Sequence, residues 1–311
     1  MRPAGRWLLG RLPRAVIVLV GAATVTFVAF HLLPGDPARV SLGTPNPTAQ
    51  LVATTRHQMG LDRPLAQQYL VFVGRLARGD LGMSYQLHEP VAGVIGRGLW
   101  PTVELALAAF ALAVVVAVPL AVATAGRRRA SAALSWTVEL VLISSPSFWI
   151  GILLLTLFSF DLRLFPVISG TSARGLVLPA VTLAASIVGV LTQILREGLE
   201  RALDEPFTTS ARARGSGETG VRLRHGLRHT LIPLLTTSGW ILGALFTGSV
   251  VVETVFSRQG LGRVAAAAIT GRDLPTVTGV VVVSALAFTV LNITLDAAYH
   301  LVDPRLREAA A

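Results

Sequence analysis

The stretch Glu205-Pro-Phe-Thr-Thr-Ser-Ala-Arg-Ala-Arg-Gly215 begins a polar segment that runs on to Leu231-Ile-Pro233. We call residues 198–231 the arginine-rich loop; it separates two long apolar segments. Asp204 and Glu205 precede a predicted short helix with arginines at its far end, so that acids lie at the positive end of the helix dipole and bases at the negative end. Gly215 is expected to end this helix as a C-cap glycine with a left-handed backbone.

The body of the predicted helix is narrow, because it consists mainly of small residues: Thr208, Thr209, Ser210, Ala211 and Ala213. A helix of this kind can enter a groove on a partner protein, where Arg212 and Arg214 would pair with acids. The alternative is a solvated loop on the positive side of a membrane. A second helix is predicted after Ser216-Gly217, with Leu223, Leu227 and Leu231 on one stripe.

The composition is that of a membrane protein. Apolar residues make up 52% of the 311 residues and charged residues only 14%, against roughly 25% charged in a soluble domain. Each of the 27 basic residues is arginine, so a Walker-type phosphate loop, which needs lysine, is absent. Nucleic acid is not an expected partner, because the arginines lie between apolar runs. The chain has no cysteine, which leaves the redox compartment open.

Six apolar segments are long enough to cross a membrane as helices, which requires about 20 residues each. They are residues 12–33, 100–125, 134–160, 176–197, 232–256 and 275–302. The first is interpreted as a retained anchor, since no small-residue cleavage site follows it.

Arginine in the short connections sets the expected orientation. Arginines precede the first span, fill 127–129, and recur six times in the arginine-rich loop. These segments and the tail with Arg305 and Arg307 are therefore expected in the cytoplasm. Residues 34–98, 161–175 and 257–274 are expected outside.

The outer segment 34–98 is predicted to form a small helical cap. Asn46-Pro47 offers a helix N-cap followed by proline, and Gly60 would stop that helix. A second, amphipathic helix is expected from Pro64 to Gly79, with Leu65, Tyr69, Phe72, Val73 and Leu76 on one face. The pair either receives an external partner or only lies on the membrane and covers the first span.

Charges within the spans are rare and are usually functional or paired. Glu104 and Glu253 are candidates for an external gate or for binding a peptide amino group. The alternative is an interfacial carboxylate paired with Arg97 or Arg258. Asn292 and Asp296 are expected to link helices by hydrogen bonds. Pro119, Pro146 and Pro179 are expected to kink or start helices. No catalytic, cofactor or metal site is predicted.

Short motifs along nearly the whole chain resemble the B-type permease subunits of dipeptide and oligopeptide ABC importers. The loop resembles their coupling segment, the EAA loop, in its Ser-Ala-Arg-Ala-Arg-Gly form. The other matching motifs are Leu32-Leu-Pro-Gly-Asp-Pro-Ala38, Met59-Gly-Leu-Asp-Arg-Pro-Leu65 with Gln68-Tyr69, Gly79-Asp-Leu-Gly-Met-Ser84, Pro90-Val91, Pro101-Thr-Val-Glu-Leu-Ala-Leu107, Ser145-Pro-Ser-Phe-Trp-Ile-Gly151, Leu178-Pro-Ala-Val-Thr-Leu183, Val252-Glu-Thr-Val-Phe256, Gly260-Leu-Gly262, Arg272-Asp-Leu-Pro275 and Tyr299 with Asp303-Pro-Arg-Leu-Arg307. His229, Trp100 and Arg258-Gln259 depart from the family pattern.

This resemblance implies an all-α membrane protein with the type I importer permease fold and a small external helical region. Residues 1–99 would form the anchor and cap, 100–303 the core, and 304–311 a cytoplasmic tail. The implied partners are a C-type permease, two cytoplasmic ATPases that bind the ATP, and an external solute-binding protein. Glu205, Thr209, Ser210, Ala211, Arg212, Ala213, Arg214 and Gly215 would couple to the ATPases.

The resemblance implies transport of peptides across the cell membrane without covalent chemistry. Members of the same family also carry glutathione or nickel complexes, so the solute stays open. A stand-alone secondary transporter would explain six spans without partners, but it predicts an inverted repeat that the sequence does not show. A membrane serine protease would need a Gly-x-Ser-Gly nucleophile near a histidine, and Ser169-Gly170 lies in a loop at the membrane face opposite His300.

Overall fold

The computed structural model describes residues 11–32, 35–43, 46–126, 129–170 and 172–302. Expectations that concern Arg2, Arg6, Arg127, Arg128 and the tail 304–311 lie outside these residues. The helices are α1 (Leu12–Leu32), α2 (Pro37–Ser41), α3 (Ala49–Gln58), α4 (Leu65–Ala77), α5 (Val91–Thr124), α6 (Arg129–Ser144), α7 (Ser147–Leu155), α8 (Ala173–Leu203), α9 (Pro206–Ala213), α10 (Glu218–Gly220), α11 (Leu227–Val255), α12 (Leu261–Thr270) and α13 (Leu274–Val302). Two π-helical turns, Thr156–Asp161 and Val221–Gly226, follow α7 and α10.

The helical architecture is confirmed, and the part of the chain that the structure describes contains five helices long and apolar enough to cross a membrane. The third expected span, residues 134–160, is a pair of helices bent by 98°, and it brings the number of spans to six if the pair is counted as one. The break falls at Pro146, which forms the extended N-cap of α7, because proline cannot donate a backbone hydrogen bond and disfavours helical backbone before it. Pro119 and Pro179 lie inside helices.

Two spans are longer than hydropathy indicated. The second begins at Val91 instead of residue 100, and the fourth runs to Leu203 instead of residue 197. Both extensions contain polar residues or glycine, which lower the hydropathy of a segment without preventing a helix.

The chain divides into two compact units, residues 1–100 with 259–290, and residues 101–258 with 291–311. In the second unit, α5 presents a fully buried stripe of Leu105, Ala109, Ala113, Ala117 and Ala121, which Ala125 continues just past the end of the helix. Small residues at every fourth position let helix backbones approach closely, which favours helix packing in lipid. Leu191, Leu195 and Leu199 of α8 are also fully buried, so α8 lies within this core.

A close approach in this unit explains the glycine that ends the motif Ser145–Gly151. A Cβ atom added to Gly151 in α7 would lie 3.2 Å from Phe256 and 3.4 Å from Thr182. The motifs of the third, fourth and fifth spans therefore meet at one packed position. A larger residue at 151 would push these helices apart.

In the first unit, α4 covers the first span. The hydroxyls of Thr24 and Tyr69 are 2.7 Å apart, and the Phe27 ring lies 5.4 Å from the rings of both Tyr69 and Phe72. Leu65 of the expected apolar face remains 59% exposed. This arrangement agrees with the interpretation that the amphipathic helix covers the first span.

The cap helices end where expected, but the first begins later. Gly60 and Gly79 have φ values of +67° and +75°, close to the ends of α3 and α4. The prediction of Asn46 as N-cap was wrong. Thr48 caps α3 instead, and its hydroxyl accepts a hydrogen bond of 3.3 Å from the Leu51 amide, because Thr48 lies three residues before that donor.

Asp273 ties two distant motifs together in the first unit. The carboxylate is buried and accepts hydrogen bonds from the Ser84 hydroxyl at 2.5 Å, the Tyr85 amide at 3.1 Å and the Thr276 hydroxyl at 2.8 Å. The motif that contains Ser84 and the motif that opens the last span thus share one buried carboxylate.

Candidate coupling site

The start of α9 is fixed by local backbone and by one hydroxyl. Glu205 is the extended N-cap residue, and Pro206 stands at the first helical position, where its missing amide proton costs nothing. The Thr208 hydroxyl lies 2.8 Å from the Leu203 carbonyl and 2.7 Å from the Glu205 carbonyl. This donor joins the end of α8 to the start of α9.

The end of α9 is a Schellman motif. The Gly215 amide donates to the Arg212 carbonyl at 2.9 Å, and the Ser216 amide donates to the Ala211 carbonyl at 3.1 Å. This pattern requires a left-handed residue after the last helical turn, and Gly215 has a φ of +83°. The expected C-cap conformation of Gly215 is confirmed. No heavy atom lies within 4 Å of a Cβ added there, so only backbone strain opposes a side chain.

One face of α9 is seated on its own chain. Thr208 and Ala211 are fully buried, and the Phe207 ring stacks on the His229 ring at 4.5 Å and 23°. His229, a departure from the family pattern, therefore anchors the helix. The opposite face is exposed and carries the other proposed coupling residues: Glu205, Thr209, Ser210, Arg212, Ala213 and Arg214. Ala211 therefore faces the protein's own core, not a partner's groove.

The two arginines of α9 differ in their surroundings. Nε of Arg212 donates to Oε1 of Glu218 at 2.8 Å. The hydrogen bond from Arg212 lowers the pKa of the Glu218 carboxyl below its ordinary value. The pair links α9 to α10 across the turn after Gly215, but both side chains are partly exposed, so it adds little stability. Arg214 is exposed, and no ion pair to it occurs among the described residues.

The prediction of a leucine stripe in the second helix was wrong. Leu223 is 48% exposed, whereas Val221 and Arg222 are buried; the side chain of Leu231 lies outside the description. The π-helical turn Val221–Gly226 contains about one residue more per turn than an α-helix. The side chains before it therefore point in directions different from those that a continuous α-helix would give relative to α11. A pattern with a period of 3.6 residues could not show this shift.

Arg222 ties the arginine-rich loop to the second span. It is only 6% exposed, and its Nη1 donates to the Val122 carbonyl at 2.9 Å near the end of α5. The Gly126 amide, just past that end, donates to Glu200 of α8 at 3.3 Å. Arg222 thus bonds the arginine-rich loop to the C-terminal end of α5, and the residue that follows α5 is in turn bonded to the C-terminal part of α8.

Sequence reasoning missed a buried ion pair at this end of the spans. Arg196 of α8 and Glu139 of α6 are 4% and 2% exposed, and their side chains form a salt bridge. Arg196 also donates to the Thr124 hydroxyl at 2.9 Å and the Ser135 hydroxyl at 3.0 Å. The signal was present, because opposite charges stand within consecutive apolar segments, and buried charges are usually paired.

At the opposite end of the spans, the candidate gate carboxylates are both engaged. Arg258 is 1% exposed and donates to Glu104 at 2.6 Å, with the carbonyls of Pro101 and Gly170 3.3 Å from its guanidinium. The alternative of a Glu104–Arg258 pair is therefore the one observed. Glu253 is fully buried and accepts a hydrogen bond of 2.5 Å from Thr102.

The described residues contain no group of three His, Cys, Asp or Glu side chains able to hold a metal ion. The side chain of Asp296, expected to link helices, lies outside the description.

Comparison with known proteins identifies the class. Residues 113–308 match the family of binding-protein-dependent transport system inner membrane components, and residues 5–106 match the N-terminal component of the same systems. The chain belongs to this family and is a permease subunit of an ABC importer of the peptide and nickel type.

Individual relatives match over nearly the whole chain. Glutathione transport system permease proteins GsiC from Escherichia coli strain K12 and Salmonella typhimurium are each 36% identical over 301 residues, which cover 96% of this chain and 97% of theirs.

Family membership settles several coarse points. The protein is a multi-pass inner membrane protein and not an enzyme, and ATP is hydrolysed by partner subunits. It works with ATPase and permease partners and a binding protein. The alternative of a stand-alone secondary transporter does not agree with this family.

Proposed function

We propose that this chain is the B-type permease of an importer for dipeptides or oligopeptides and that α9 couples it to the ATPases. The observation that carries the proposal is the division of α9 into two faces. Thr208 and Ala211 seat one face on the protein, while Thr209, Ser210 and Arg214 lie open on the other. A loop that only joined two spans in solvent would not need one face of a helix packed against the protein.

A displacement of α9 would be transmitted to the spans through three links. The Thr208 hydroxyl holds the end of α8, the Phe207–His229 stack holds the start of α11, and Arg222 holds the end of α5. ATP-driven closure of the ATPases would therefore tilt these spans together. The result is a two-state element whose equilibrium nucleotide shifts.

The remaining partners and the topology belong to the same proposal. A C-type permease would form the other half of the path, and two cytoplasmic ATPases would dock on the pair. Both termini would lie in the cytoplasm. Residues 1–99 would be the anchor and external cap that meets the binding protein, 100–303 the core and 304–311 a cytoplasmic tail.

Peptide is the proposed solute class, and glutathione is a second candidate because the relatives GsiC carry that name. A nickel complex is the third candidate from the same family. All three can be offered to the same assembled transporter, so one assay ranks them.

The test is ATP-dependent uptake by the complete transporter in proteoliposomes, with its binding protein added outside. Labelled dipeptide, pentapeptide, glutathione and nickel would be compared at equal concentration. We expect peptide uptake that needs ATP and the binding protein. The proposal would be contradicted if nickel were taken up and the peptides were not, or if peptide uptake did not depend on ATP.

A further inference from the structure

The bent pair α6 and α7 breaks at membrane depth. A Cβ atom on Gly189 would lie 2.9 Å from Ile143, before the break, and one on Gly151, after it, would lie 3.4 Å from Thr182. The break therefore lies beside the part of α8 between residues 182 and 189. Residue 188 is the middle of this 31-residue helix, so the break falls near its centre.

A helix break at this depth leaves polar backbone groups to be satisfied. Each helix end has four groups without an intrahelical partner. The Ser145 hydroxyl donates to the Val141 carbonyl at 2.7 Å, and the Pro146 carbonyl accepts from the Trp149 amide at 3.0 Å. The Ile150 amide also donates to the Pro146 carbonyl, at 3.2 Å. Irregular backbone at membrane depth occurs only where protein or a water-filled cavity covers it.

The same level of the second unit holds a groove of about 200 Å³, lined by Ser147 after the break and by residues of α8 and α11. Seven of its ten lining residues have apolar side chains, none is charged, and its polar side chains are those of Ser147 and Ser186. Trp240, also in the wall, is 64% exposed. Tryptophan in membrane proteins is enriched at the two interfaces, whereas Trp240 lies seven residues inside the apolar span Pro233–Val255.

We propose that the break and this groove line the aqueous path, and that Ser147, Ser186 and Trp240 contact the passing solute. This inference rests on the proposed peptide transport. The Ser147 hydroxyl can donate and accept hydrogen bonds, and the Ser186 hydroxyl, which donates to the Thr182 carbonyl at 3.3 Å, can still accept one. Peptide amides offer matching donors and acceptors, and an indole ring packs on side chains of many kinds. A groove without charges would bind the peptide backbone. It would not discriminate between peptides by their charged termini or by their side chains.

The size of the groove agrees with brief contact. Pockets that hold drug-sized ligands measure about 300–1,000 Å³, so this groove would contact a small part of a peptide at a time. A path that binds weakly lets its solute leave.

Single cysteines test the proposal, because the native chain has none. Ser147→Cys and Ser186→Cys, in the complete transporter, would be treated with a cationic methanethiosulfonate with and without ATP. Val25→Cys is the control, since Val25 is 69% exposed on the first span but lies outside the groove. The thiolate reacts and apolar burial raises the thiol pKa, so we expect both groove thiols to react more than about tenfold faster than the control. A saturating dipeptide should slow them.

The outcomes separate this inference from the proposed function. If peptides are taken up but both groove thiols are as inert as Val25→Cys, the groove faces lipid or the second permease, and the inference fails alone. If the thiols react and only a non-peptide solute protects them, the proposed peptide function fails and the path assignment stands. Reaction without protection by any transported solute would contradict solute contact.

Discussion

Two glycines in the arginine-rich loop differ in the backbone angle φ, and this angle decides which of them can be replaced by another residue without strain. Gly215 has a φ of +83°, whereas Gly217 has a φ of −65° and ψ of 154°. Neither has a heavy atom within 4 Å of an added Cβ. A side chain at 215 is strained by backbone alone, while one at 217 fits an extended conformation that any residue adopts. Gly217 is therefore a matched control for Gly215.

The alanines of α9 differ in burial, and this difference predicts two kinds of defect. Ala211→Asp places an unpaired charge in the protein's own core, which is strongly unfavourable, so we expect a loss of folded protein. Ala213→Asp lies on the exposed face and should leave abundance unchanged while weakening ATPase binding. The measurement is the amount of permease in membranes and the amount of ATPase that copurifies with it. Equal abundance of both variants would contradict the burial of position 211.

At the scale of helices, hydropathy predicted the existence of the spans better than their limits. The first turns of α5 were missed because Gly93, Gly96 and Gly98 dilute the apolar signal. Tertiary packing holds this segment: a Cβ on Gly279 would lie 2.6 Å from Val91 and 2.8 Å from Ile95. The break after α6 agrees with the expectation that Pro146 kinks or starts a helix, although its 98° angle was not predicted. The π-helical turn before α11 was missed because a pattern with a period of 3.6 residues does not reveal it.

The candidate site was predicted in its conformation and only partly in its contacts. The short helix, its acidic start and the left-handed Gly215 follow from local chemistry, which a sequence displays directly. The remaining contacts depend on which helices are neighbours in the fold. They are the burial of Ala211, the stacking of Phe207 on His229 and the buried Arg196–Glu139 pair. One sequence does not contain that information.

The approach of α5 to α12 predicts a contrast between two glycines in one helix. A Cβ on Gly98 would lie 3.1 Å from the Leu261 amide nitrogen and 3.2 Å from the Gly260 carbonyl carbon, whereas Gly96 has open space. Gly98→Ala should destabilise the protein by about 1–3 kcal/mol because backbone must shift. Gly96→Ala should be neutral or stabilise by up to about 1 kcal/mol, since alanine favours helix. Thermal unfolding in detergent compares them; equal midpoints would contradict the close approach.

For the whole molecule, the proposed topology predicts opposite accessibility of two exposed positions. Gln67 in α4 and Thr219 in α10 are both exposed, and the cysteine-free chain gives no background. On intact cells, an impermeant thiol reagent should label Gln67→Cys and leave Thr219→Cys unlabelled until the cells are opened. The reverse pattern would invert the orientation and remove α9 from the side where ATP is hydrolysed.

The whole importer depends, in this account, on α9 transmitting movement from the ATPases to the spans. The most direct test is the ratio of peptide uptake to ATP hydrolysis in proteoliposomes that contain the complete transporter. Valine at 215 strains the left-handed backbone by roughly 1 kcal/mol or more, and asparagine tolerates that conformation. We expect Gly215→Val to remain inserted and abundant but to lower the ratio severely or to release the ATPases, while Gly215→Asn and Gly217→Val stay near the native ratio. Full uptake by Gly215→Val, with ATPase bound at normal stoichiometry, would contradict the coupling role of the loop.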